Sequence, residues 1–265
     1  MDLNEIQKVG IKAAYTGAKI LNHYFGRLSH INKKGPNDLV TDADVESQSR
    51  IIEVIRTKYP DHCILAEESG YHQEESASCQ WIIDPLDGTT NFAHEIPIFC
   101  ISIAFAEADE TQVGIILNPI SGELFSAVKN QGATLNGRRI AVSTQSEISE
   151  SLLVTGFPYD FQANLQSVIH RFQQCLLAAR GIRRLGSAAM DLCYVACGRF
   201  EAFWEENLNP WDTAAGALIV EEAGGRVSDF ADKPYKLNKN EILASNKQIH
   251  SEIISLLSAN KEDTI

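Results

Sequence analysis

The sequence predicts a mixed α/β fold, and three observations support this prediction. Two amphipathic helices open the chain, a series of β-like stretches follows, and strands alternate with helices from residue 151 onwards. A chain of 265 residues that is 44% hydrophobic can bury a large core as one domain or as two closely packed lobes. We expect one compact unit, with an N-terminal α+β lobe at 1–145 and a C-terminal α/β lobe at 146–265.

The two opening helices are predicted from apolar residues that recur at helical spacing. In residues 3–25 these are Ile6, Val9, Ala13, Ile20, Leu21 and Tyr24. In residues 43–59 they are Val45, Ile51, Ile52, Ile55 and Tyr59. The intervening stretch "INKKGPNDLVTDAD" is typical of a turn-rich connection that carries both signs of charge.

The next part of the N-terminal lobe is predicted to form a largely antiparallel sheet. Its β-like stretches are "CILAEE", "QWIID", "FCISIAFAEA", "QVGIILNP" and "GELFSAVKNQGATLNG", and turn-forming residues join the last four. The polar, serine-rich stretch "AVSTQSEISES" marks the boundary between the lobes.

From "SLLVTGF" at 151–157, the pattern changes to alternating strands and helices. We expect a helix near 162–180, the stretch "GIRRLG", a helix in "SAAMDLCYVACG" and a strand in "RFEAFW". A helix in "WDTAAGALIVEEAGG", the strand-like "RVSD" and "EILASN", and a closing helix follow.

Composition and charge exclude several classes of function. A net charge of −12 argues against direct nucleic-acid binding, which depends on basic patches. The longest apolar run is too short to span a bilayer, and "MDLNEIQKVG" lacks the features of a secretion signal. We therefore expect a cytoplasmic protein without a membrane partner. Its six cysteines are expected to be free thiols, because they are scattered through apolar surroundings in a chain too large to need disulfides. Cys193 and Cys197 could share a metal, but no second Cys or His pair accompanies them.

Acidic residues stand at the ends of several predicted elements. They occur in "TDAD" (Asp42, Asp44), "AEES" (Glu67, Glu68), "DPLD" (Asp84, Asp87) and "NPWD" (Asp212). Each has a simpler explanation when taken alone, because Asp-Gly is a common hairpin turn and acids are frequent in the first turn of a helix. Asp84 differs in following a strongly apolar strand, "WII", where an unpaired carboxylate is costly.

A cluster of these carboxylates would require cations. Two carboxylates about 4 Å apart repel by about 4 kcal/mol at an effective dielectric near 20. Oxygen ligands without histidine or cysteine favour Mg²⁺ or Mn²⁺ over zinc. The "GTT" after Asp87 offers backbone N–H groups and hydroxyls to a phosphate. Together these residues indicate phosphoryl chemistry.

Several long motifs of the chain resemble those of the inositol monophosphatase family. The principal ones are "WIIDPLDGTTNF" at 81–92 and "WDTAAGALIVEEAGGRVSD" at 211–229. "NDLVTDAD", "LAEES", "NQGATLNG" and "RRLGSAAMDLCYVACGR" match in the same order. The resemblance covers nearly the whole chain. It implies a layered α/β/α/β/α sandwich, a homodimer and a Mg²⁺-dependent, lithium-sensitive phosphatase.

The resemblance also implies a metal site with two Mg²⁺ ions, and leaves open a third, looser one. Glu67, Asp84 and the backbone carbonyl of Leu86 would bind the first ion. Asp84, Asp87 and Asp212 would bind the second. Hydrolysis would then use a metal-activated water and form no covalent phosphoenzyme.

The remaining site residues are implied in the same way. Asp44 and Thr89, together with Glu67 of the metal site, form the catalytic group, in which Asp44 and Thr89 orient and help deprotonate the attacking water. The backbone of Gly88 and Thr89 would bind phosphate. Substrate contacts are assigned to Asp87, Gly186, Ser187, Ala188, Glu205 and Asp212. Lys33 matches a basic residue near the site, although Lys34 competes for the same alignment.

The resemblance also implies a class of substrate. We expect myo-inositol 1-phosphate, with fructose 1,6-bisphosphate and a 3′,5′-bisphosphate nucleotide as alternatives. Two stretches depart from or vary within the family pattern, "EENLNP" after Glu205 and "PYDF" at 158–161, and Glu205 and Glu206 could instead be exposed strand acids. Bacterial relatives also act in transcription and RNA-processing assemblies. The basic run "ARGIRR" at 179–184 is a candidate contact for such a partner or for a dimer, or a solvated helix end.

Overall fold

The computed structural model describes residues 1–27, 31–33, 39–72, 79–158, 162 and 164–258. Within these residues, the α-helices are Leu3–Tyr24 (α1), Asp42–Lys58 (α2), Thr89–Ala93 (α3), Leu165–Ala178 (α4), Ala188–Ala196 (α5), Pro210–Glu222 (α6) and His250–Ser258 (α7). A 3₁₀ turn covers Ile148–Glu150. None of the described helices combines the length and the apolar character needed to cross a membrane.

The N-terminal half forms an eight-stranded sheet in the order β10-β9-β8-β7-β6-β5-β3-β4. Its strands are Cys63–Ala66 (β3), Gly70–His72 (β4), Cys79–Asp87 (β5), Cys100–Glu107 (β6), Glu110–Asn118 (β7), Glu123–Val128 (β8), Gly132–Leu135 (β9) and Arg138–Arg139 (β10). Its neighbouring strands pair antiparallel except β3 and β5, which are parallel. The prediction of a largely antiparallel sheet is confirmed.

The C-terminal half forms a five-stranded mixed sheet in the order β12-β11-β13-β15-β14. Its strands are Leu152–Thr155 (β11), Gly181–Arg183 (β12), Ala202–Glu206 (β13), Arg226–Ser228 (β14) and Glu241–Ser245 (β15). β11 lies parallel to both β12 and β13, because a helix-containing crossover connects each pair. The alternation of strands and helices predicted for this half is confirmed.

The two sheets and three pairs of helices stack in layers. α1 and α2 cover one face of the larger sheet, α5 and α6 lie between the sheets, and α4 and α7 cover the outer face of the smaller sheet. Strand β7 shows how the sequence specifies this: Val113 and Ile115 enter the core beneath α1 and α2, whereas Ile116 enters the core with α5 and α6. This is the α/β/α/β/α sandwich that the resemblance implies.

Some local predictions differ from the structure. The connection between α1 and α2 contains two short antiparallel strands, Ile31–Lys33 (β1) and Leu39–Thr41 (β2). The helix expected near 162–180 extends only over Leu165–Ala178. The six cysteines are free, as predicted. The polypeptide changes sheet between Arg139 and Leu152, and folding of the lobes at 1–145 and 146–265 as one unit stays a prediction.

Helix α6 approaches the larger sheet closely at Gly114. A Cβ atom placed on Gly114 would lie 2.6 Å from the carbonyl oxygen of Ala215 and 3.1 Å from its Cα. These are backbone atoms of a buried helix, which cannot rotate away as a side chain can. Glycine at this position therefore sets the distance between α6 and β7, and α6 carries Asp212.

We expect Gly114→Ala to lower the free energy of unfolding by about 1 to 3 kcal/mol, because the added methyl group overpacks the contact with Ala215. Urea denaturation followed by circular dichroism measures this change. Gly181→Ala in β12 is the matched control, since the atom nearest to a Cβ placed on Gly181 lies 3.6 Å away. Equal stability of the two variants would contradict the proposed close approach.

Candidate active site

Three aspartates from distant parts of the sequence meet at one end of the larger sheet. Asp84 and Asp87 lie at the end of β5, and Asp212 lies in the first turn of α6. Each offers a carboxylate oxygen, and these oxygens all lie within 4.8 Å of one another. Asp84 is 2% exposed and Asp87 is 9% exposed. The structure thus brings together three of the acidic residues that were predicted to share a metal site.

The local sequence explains why the first two aspartates leave β5 in this way. The pairing of β5 with β6 shifts register between Asp84 and Asp87. The Asp84 side chain accepts a hydrogen bond from the Leu86 N–H at 2.9 Å, which stabilises the turn. Ser47 of α2 donates its hydroxyl to the Pro85 carbonyl at 3.2 Å. The turn is therefore stabilised both by its own Asp84 side chain and by Ser47 of the neighbouring helix.

Asp87 is held by the beginning of α5. Its Oδ2 atom accepts hydrogen bonds from the Ser187 hydroxyl at 2.6 Å and from the Ala189 N–H at 2.8 Å. The Cys100 thiol lies 3.7 Å from the same oxygen. These donors orient one carboxylate oxygen. Ser187, predicted as a substrate contact, therefore has a direct structural role in positioning Asp87.

Asp212 is fixed by the helix that carries it. It occupies the third position of α6, and its Oδ2 accepts a hydrogen bond from the Asn209 N–H at 2.7 Å. Pro210 begins the helix, where its missing N–H costs no hydrogen bond. Asp212 is thus a helix-capping residue, as the simpler interpretation proposed, and it also belongs to the cluster.

The electrostatics of the cluster fit a cation. Burial raises the pKa of Asp84 well above its usual value, and repulsion from Glu67, Asp87 and Asp212 raises it further. Burial, followed by repulsion from Asp87, also raises the pKa of Asp212 well above its ordinary value. Among the described residues, no lysine or arginine forms an ion pair with these three aspartates. An all-oxygen set without a protein counter-charge suits a hard divalent cation.

A second acidic unit connects α2 to the same turn. The fully buried Asp44 accepts hydrogen bonds at Oδ2 from the Thr41 N–H at 2.8 Å and hydroxyl at 2.6 Å. Its Oδ1 lies 3.2 Å from the Thr89 hydroxyl, which also lies 3.0 Å from the Leu86 carbonyl. Burial raises the pKa of Asp44 to about 7, with added repulsion from Glu67 and Glu68. Asp44 can therefore exchange a proton near neutral pH.

Gly88 lies where the two halves of the chain approach each other. It has a φ of 96°, and a Cβ atom there would lie 3.1 Å from the Ile98 carbonyl oxygen and 3.2 Å from that of Gly186. Asn91, in α3, donates to the carbonyls of Ile98 at 2.7 Å and Leu185 at 2.8 Å. The "GTTNF" stretch thereby joins β5 to the segment that precedes α5.

A cleft extends from the aspartate cluster. It encloses about 590 Å³ of space, part of it open to solvent. Its lining includes Asp87, Gly88, Gly156, Phe157, Pro158, Arg184, Gly186, Ser187, Ala188, Asp191, Glu205, Asn207, Leu208, Asn209 and Asp212. The predicted substrate contacts at Gly186, Ser187, Ala188 and Glu205 therefore share one cleft with Asp87 and Asp212.

Glu205 contributes a buried carboxyl group to this cleft. It is 8% exposed, so the alternative of an exposed strand acid does not apply to it. Burial raises its pKa to about 8, partly offset by Arg184 and reinforced by Asp87. A side chain on Gly156 would occupy the position of the Glu205 carboxylate. Glycine in "VTGF" thus makes room for it. Glu206, by contrast, forms an ion pair with Arg171 outside the cleft lining.

Other predicted site residues are placed less directly. Glu67 lies outside the tight group of three aspartates, although its charge affects the pKa of Asp84, Asp212 and Asp44. Lys33 belongs to β1, whereas Lys34 lies outside the described residues. Of "PYDF", Pro158 lines the cleft, and 159–161 lie outside the described residues.

Comparison with known proteins identifies the family. The model of the inositol monophosphatase family matches residues 2–262. An inositol-1-monophosphatase of Synechocystis sp. is 46% identical over 256 residues, which are 96% of this chain and 88% of the relative. The Nus factor SuhB of Haemophilus influenzae is 41% identical over 255 residues, 96% of either chain. The solved structure of an inositol monophosphatase from Anabaena has a TM-score of 0.89 and 40% identity, covering 97% of this chain and 96% of that one.

The fold and these relatives thus place the chain in a class of phosphatases. The chain belongs to the inositol monophosphatase family.

No role was predicted from the sequence for three polar residues of this region. Asn91 and Cys100 follow the "DPLDGTT" motif. Asn91 donates to carbonyls that are 7 and 94 residues away, and Cys100 contacts Asp87, so their partners could not be inferred from spacing. Asp191 was detectable in principle, because it is an acid in the otherwise apolar helix "AAMDLCYVA".

We expect Mg²⁺ to raise the melting temperature of the protein, and to raise it more at pH 8 than at pH 6. The reason is that the elevated pKa values let protons compete with the cation at lower pH. Differential scanning fluorimetry with a Mg²⁺ titration at both pH values measures the effect.

Asp84→Asn should reduce this Mg²⁺-dependent increase. Asp229→Asn is the matched control, because Asp229 is 5% exposed and accepts backbone hydrogen bonds from Ala231 and Lys233 outside the cluster. A full response to Mg²⁺ in Asp84→Asn would show that the aspartates do not share a cation.

Proposed function

We propose that this protein hydrolyses a phosphate monoester of a polyol, with myo-inositol 1-phosphate as the expected substrate. The observation that carries this proposal is the cluster of Asp84, Asp87 and Asp212, because Asp87 and Asp212 also line a cleft that contains Glu205. The acidic end suits a metal-bound phosphate, and the buried carboxyl of Glu205 suits hydroxyl groups.

The proposed metal sites use the oxygen donors at the end of β5. Glu67, Asp84 and the Leu86 carbonyl would hold one Mg²⁺, and Asp84, Asp87 and Asp212 would hold another. When bound, Mg²⁺ would supply an activated water and stabilise charge on the phosphate and the leaving oxygen. The Ser187 and Ala189 donors keep the Asp87 carboxylate oriented for this task.

Removal of a proton from the attacking water is assigned to Thr89 and Asp44. The Thr89 hydroxyl can donate its hydrogen to Asp44 Oδ1, at 3.2 Å, and so leave a lone pair available for a water. The pKa of Asp44, raised by burial to about 7, allows it to accept a proton at neutral pH. Thr41 holds the other Asp44 oxygen through two hydrogen bonds, which keeps Oδ1 directed at Thr89.

The remaining contacts are proposed for the two ends of the substrate. The N–H groups of Gly88 and Thr89 are assigned to the phosphate, in keeping with the left-handed turn at Gly88. Glu205 and the segment from Gly186 to Ala188 are assigned to the alcohol. A Cβ atom at position 88 would crowd the carbonyl oxygens of Ile98 and Gly186, and a Cβ atom at position 156 would overlap the Glu205 carboxylate.

Asp87→Asn should lower kcat for phosphate release from inositol 1-phosphate by about 100-fold or more, because it removes a carboxylate charge that the cation requires. An asparagine oxygen can still accept the Ser187 and Ala189 hydrogen bonds, so the fold should persist. Asp109→Asn, in the exposed turn between β6 and β7, is the control. Metal-independent turnover, or full activity of Asp87→Asn, would contradict the proposal.

The substrate assignment is tested by a panel of esters. Inositol 1-phosphate, fructose 1,6-bisphosphate and a 3′,5′-bisphosphate nucleotide are compared at matched Mg²⁺ concentrations. We expect the highest kcat/KM for inositol 1-phosphate. A preference for either bisphosphate would retain the phosphatase chemistry and replace the substrate.

An additional role in a transcription assembly is the second candidate. Relatives named Nus factor SuhB, at 39% to 41% identity, favour it. The proposed contact is the run 179–184, where Arg183 and Arg184 are exposed. Arg183→Ala should weaken capture of such a partner in a pulldown while leaving phosphatase activity unchanged.

We also propose that the protein is a homodimer and that it acts in the cytoplasm. Sedimentation equilibrium tests the oligomeric state.

A further inference from the structure

Asp191 is a buried acid that the proposed mechanism does not use. It lies in the first turn of α5, and it is 1% exposed. Among the described residues, its Oδ1 is the buried side-chain oxygen or nitrogen without a hydrogen-bond partner. Its neighbours on α5, including Met190 and Leu192, belong to the apolar core.

The position of Asp191 connects it to the active site. The residue lines the same cleft as Asp87, Glu205 and Arg184. Burial raises the pKa of Asp191 well above its usual value, and repulsion from Glu205 and Asp87 raises it further. The positive charge of Arg184 lowers it in part. No described arginine or lysine lies within ion-pair distance of its carboxyl group. Arg184 itself is exposed at the rim of the cleft.

Protein stability gives no reason for an acid at this position. A buried polar atom without a partner destabilises a fold, and an apolar residue of similar size would suit a helix packed between two sheets. A polar group that is unsatisfied at the inner surface of a cleft has a reason to exist when a ligand supplies the missing partner.

We propose that Asp191 is a specificity-determining residue, whose carboxyl group binds a hydroxyl group on the alcohol part of the substrate. Together with Glu205 it would form a pair of oxygen acceptors beyond the phosphate-binding end of the cleft. This inference rests on the proposed function, because it concerns the substrate of that same site.

The chemistry of the cleft selects the class of ligand. A second phosphate placed at Asp191 would meet the acidic groups of Glu205 and Asp87, whereas a hydroxyl can donate a hydrogen bond to either carboxyl group. A polyhydroxylated alcohol can satisfy both residues at once. An aryl leaving group without hydroxyls can satisfy neither.

The test compares two substrates in four proteins. Inositol 1-phosphate carries hydroxyl groups near its phosphate, and p-nitrophenyl phosphate has none. Both are assayed with Mg²⁺ in the wild type, Asp191→Leu, Asp191→Asn and Met190→Leu. Met190→Leu is the matched control, since Met190 is fully buried in the same helix turn and does not line the cleft.

We expect Asp191→Leu to lower kcat/KM for inositol 1-phosphate at least about tenfold, as expected for a lost hydrogen bond to a substrate. Its kcat/KM for p-nitrophenyl phosphate should change less than about threefold, and its melting temperature should equal or exceed that of the wild type. Asp191→Asn, which keeps an acceptor oxygen, should recover part of the loss. Met190→Leu should affect both substrates equally.

The outcomes separate this inference from the proposed function. If the wild type prefers inositol 1-phosphate and Asp191→Leu keeps that preference, only the role of Asp191 is overturned. Equal losses for both substrates overturn it as well, because they indicate a structural effect. A wild type without any preference for the polyol ester overturns both proposals. If Asp191→Leu does not fold, Asp191→Ala provides the same comparison without added bulk.

Discussion

The mutual repulsion of three buried carboxylates is the constraint on which the active-site architecture depends. Asp84, Asp87 and Asp212 would repel one another if all three were ionised. Charged oxygens within 4.8 Å repel by about 3 kcal/mol per pair at an effective dielectric near 20. The fold keeps them together with backbone donors and a hydroxyl from three different segments. Either a proton or a cation can offset this repulsion, so protons and the cation compete for the same oxygens.

The layered architecture serves that arrangement. β5 delivers two of the aspartates from the larger sheet, and α6 delivers the third from the helical layer between the sheets. The spacing of these layers depends on glycine where backbone atoms nearly touch, at Gly114 beneath α6 and at Gly88 beside Gly186. Activity and stability are therefore coupled through packing distance as well as through charge.

Much of the fold could be predicted from the sequence, because amphipathic spacing and turn residues are local signals. The helix expected at 3–25 spans Leu3–Tyr24, and the antiparallel sheet follows the predicted stretches. The acidic cluster was also predictable, since strand ends and helix starts direct side chains to a common edge. The hydrogen bond from Ser187 to Asp87 joins residues 100 positions apart, and it exists only after α5 docks between the sheets. The unpartnered oxygen of Asp191 could not be predicted either, because burial in a cleft is a property of the assembled layers.

We expect the clustered carboxylates to hold protons that a divalent cation displaces. Isothermal titration calorimetry of Mg²⁺ binding, performed at pH 7 in two buffers with different ionisation enthalpies, measures this proton release directly. Because the pKa values of Asp84 and Asp212 are raised, we expect the binding enthalpy to differ between the buffers, with fewer protons released in Asp84→Asn. Mg²⁺ binding with the same enthalpy in both buffers, or no binding at all, would show that the aspartates do not exchange protons for a cation.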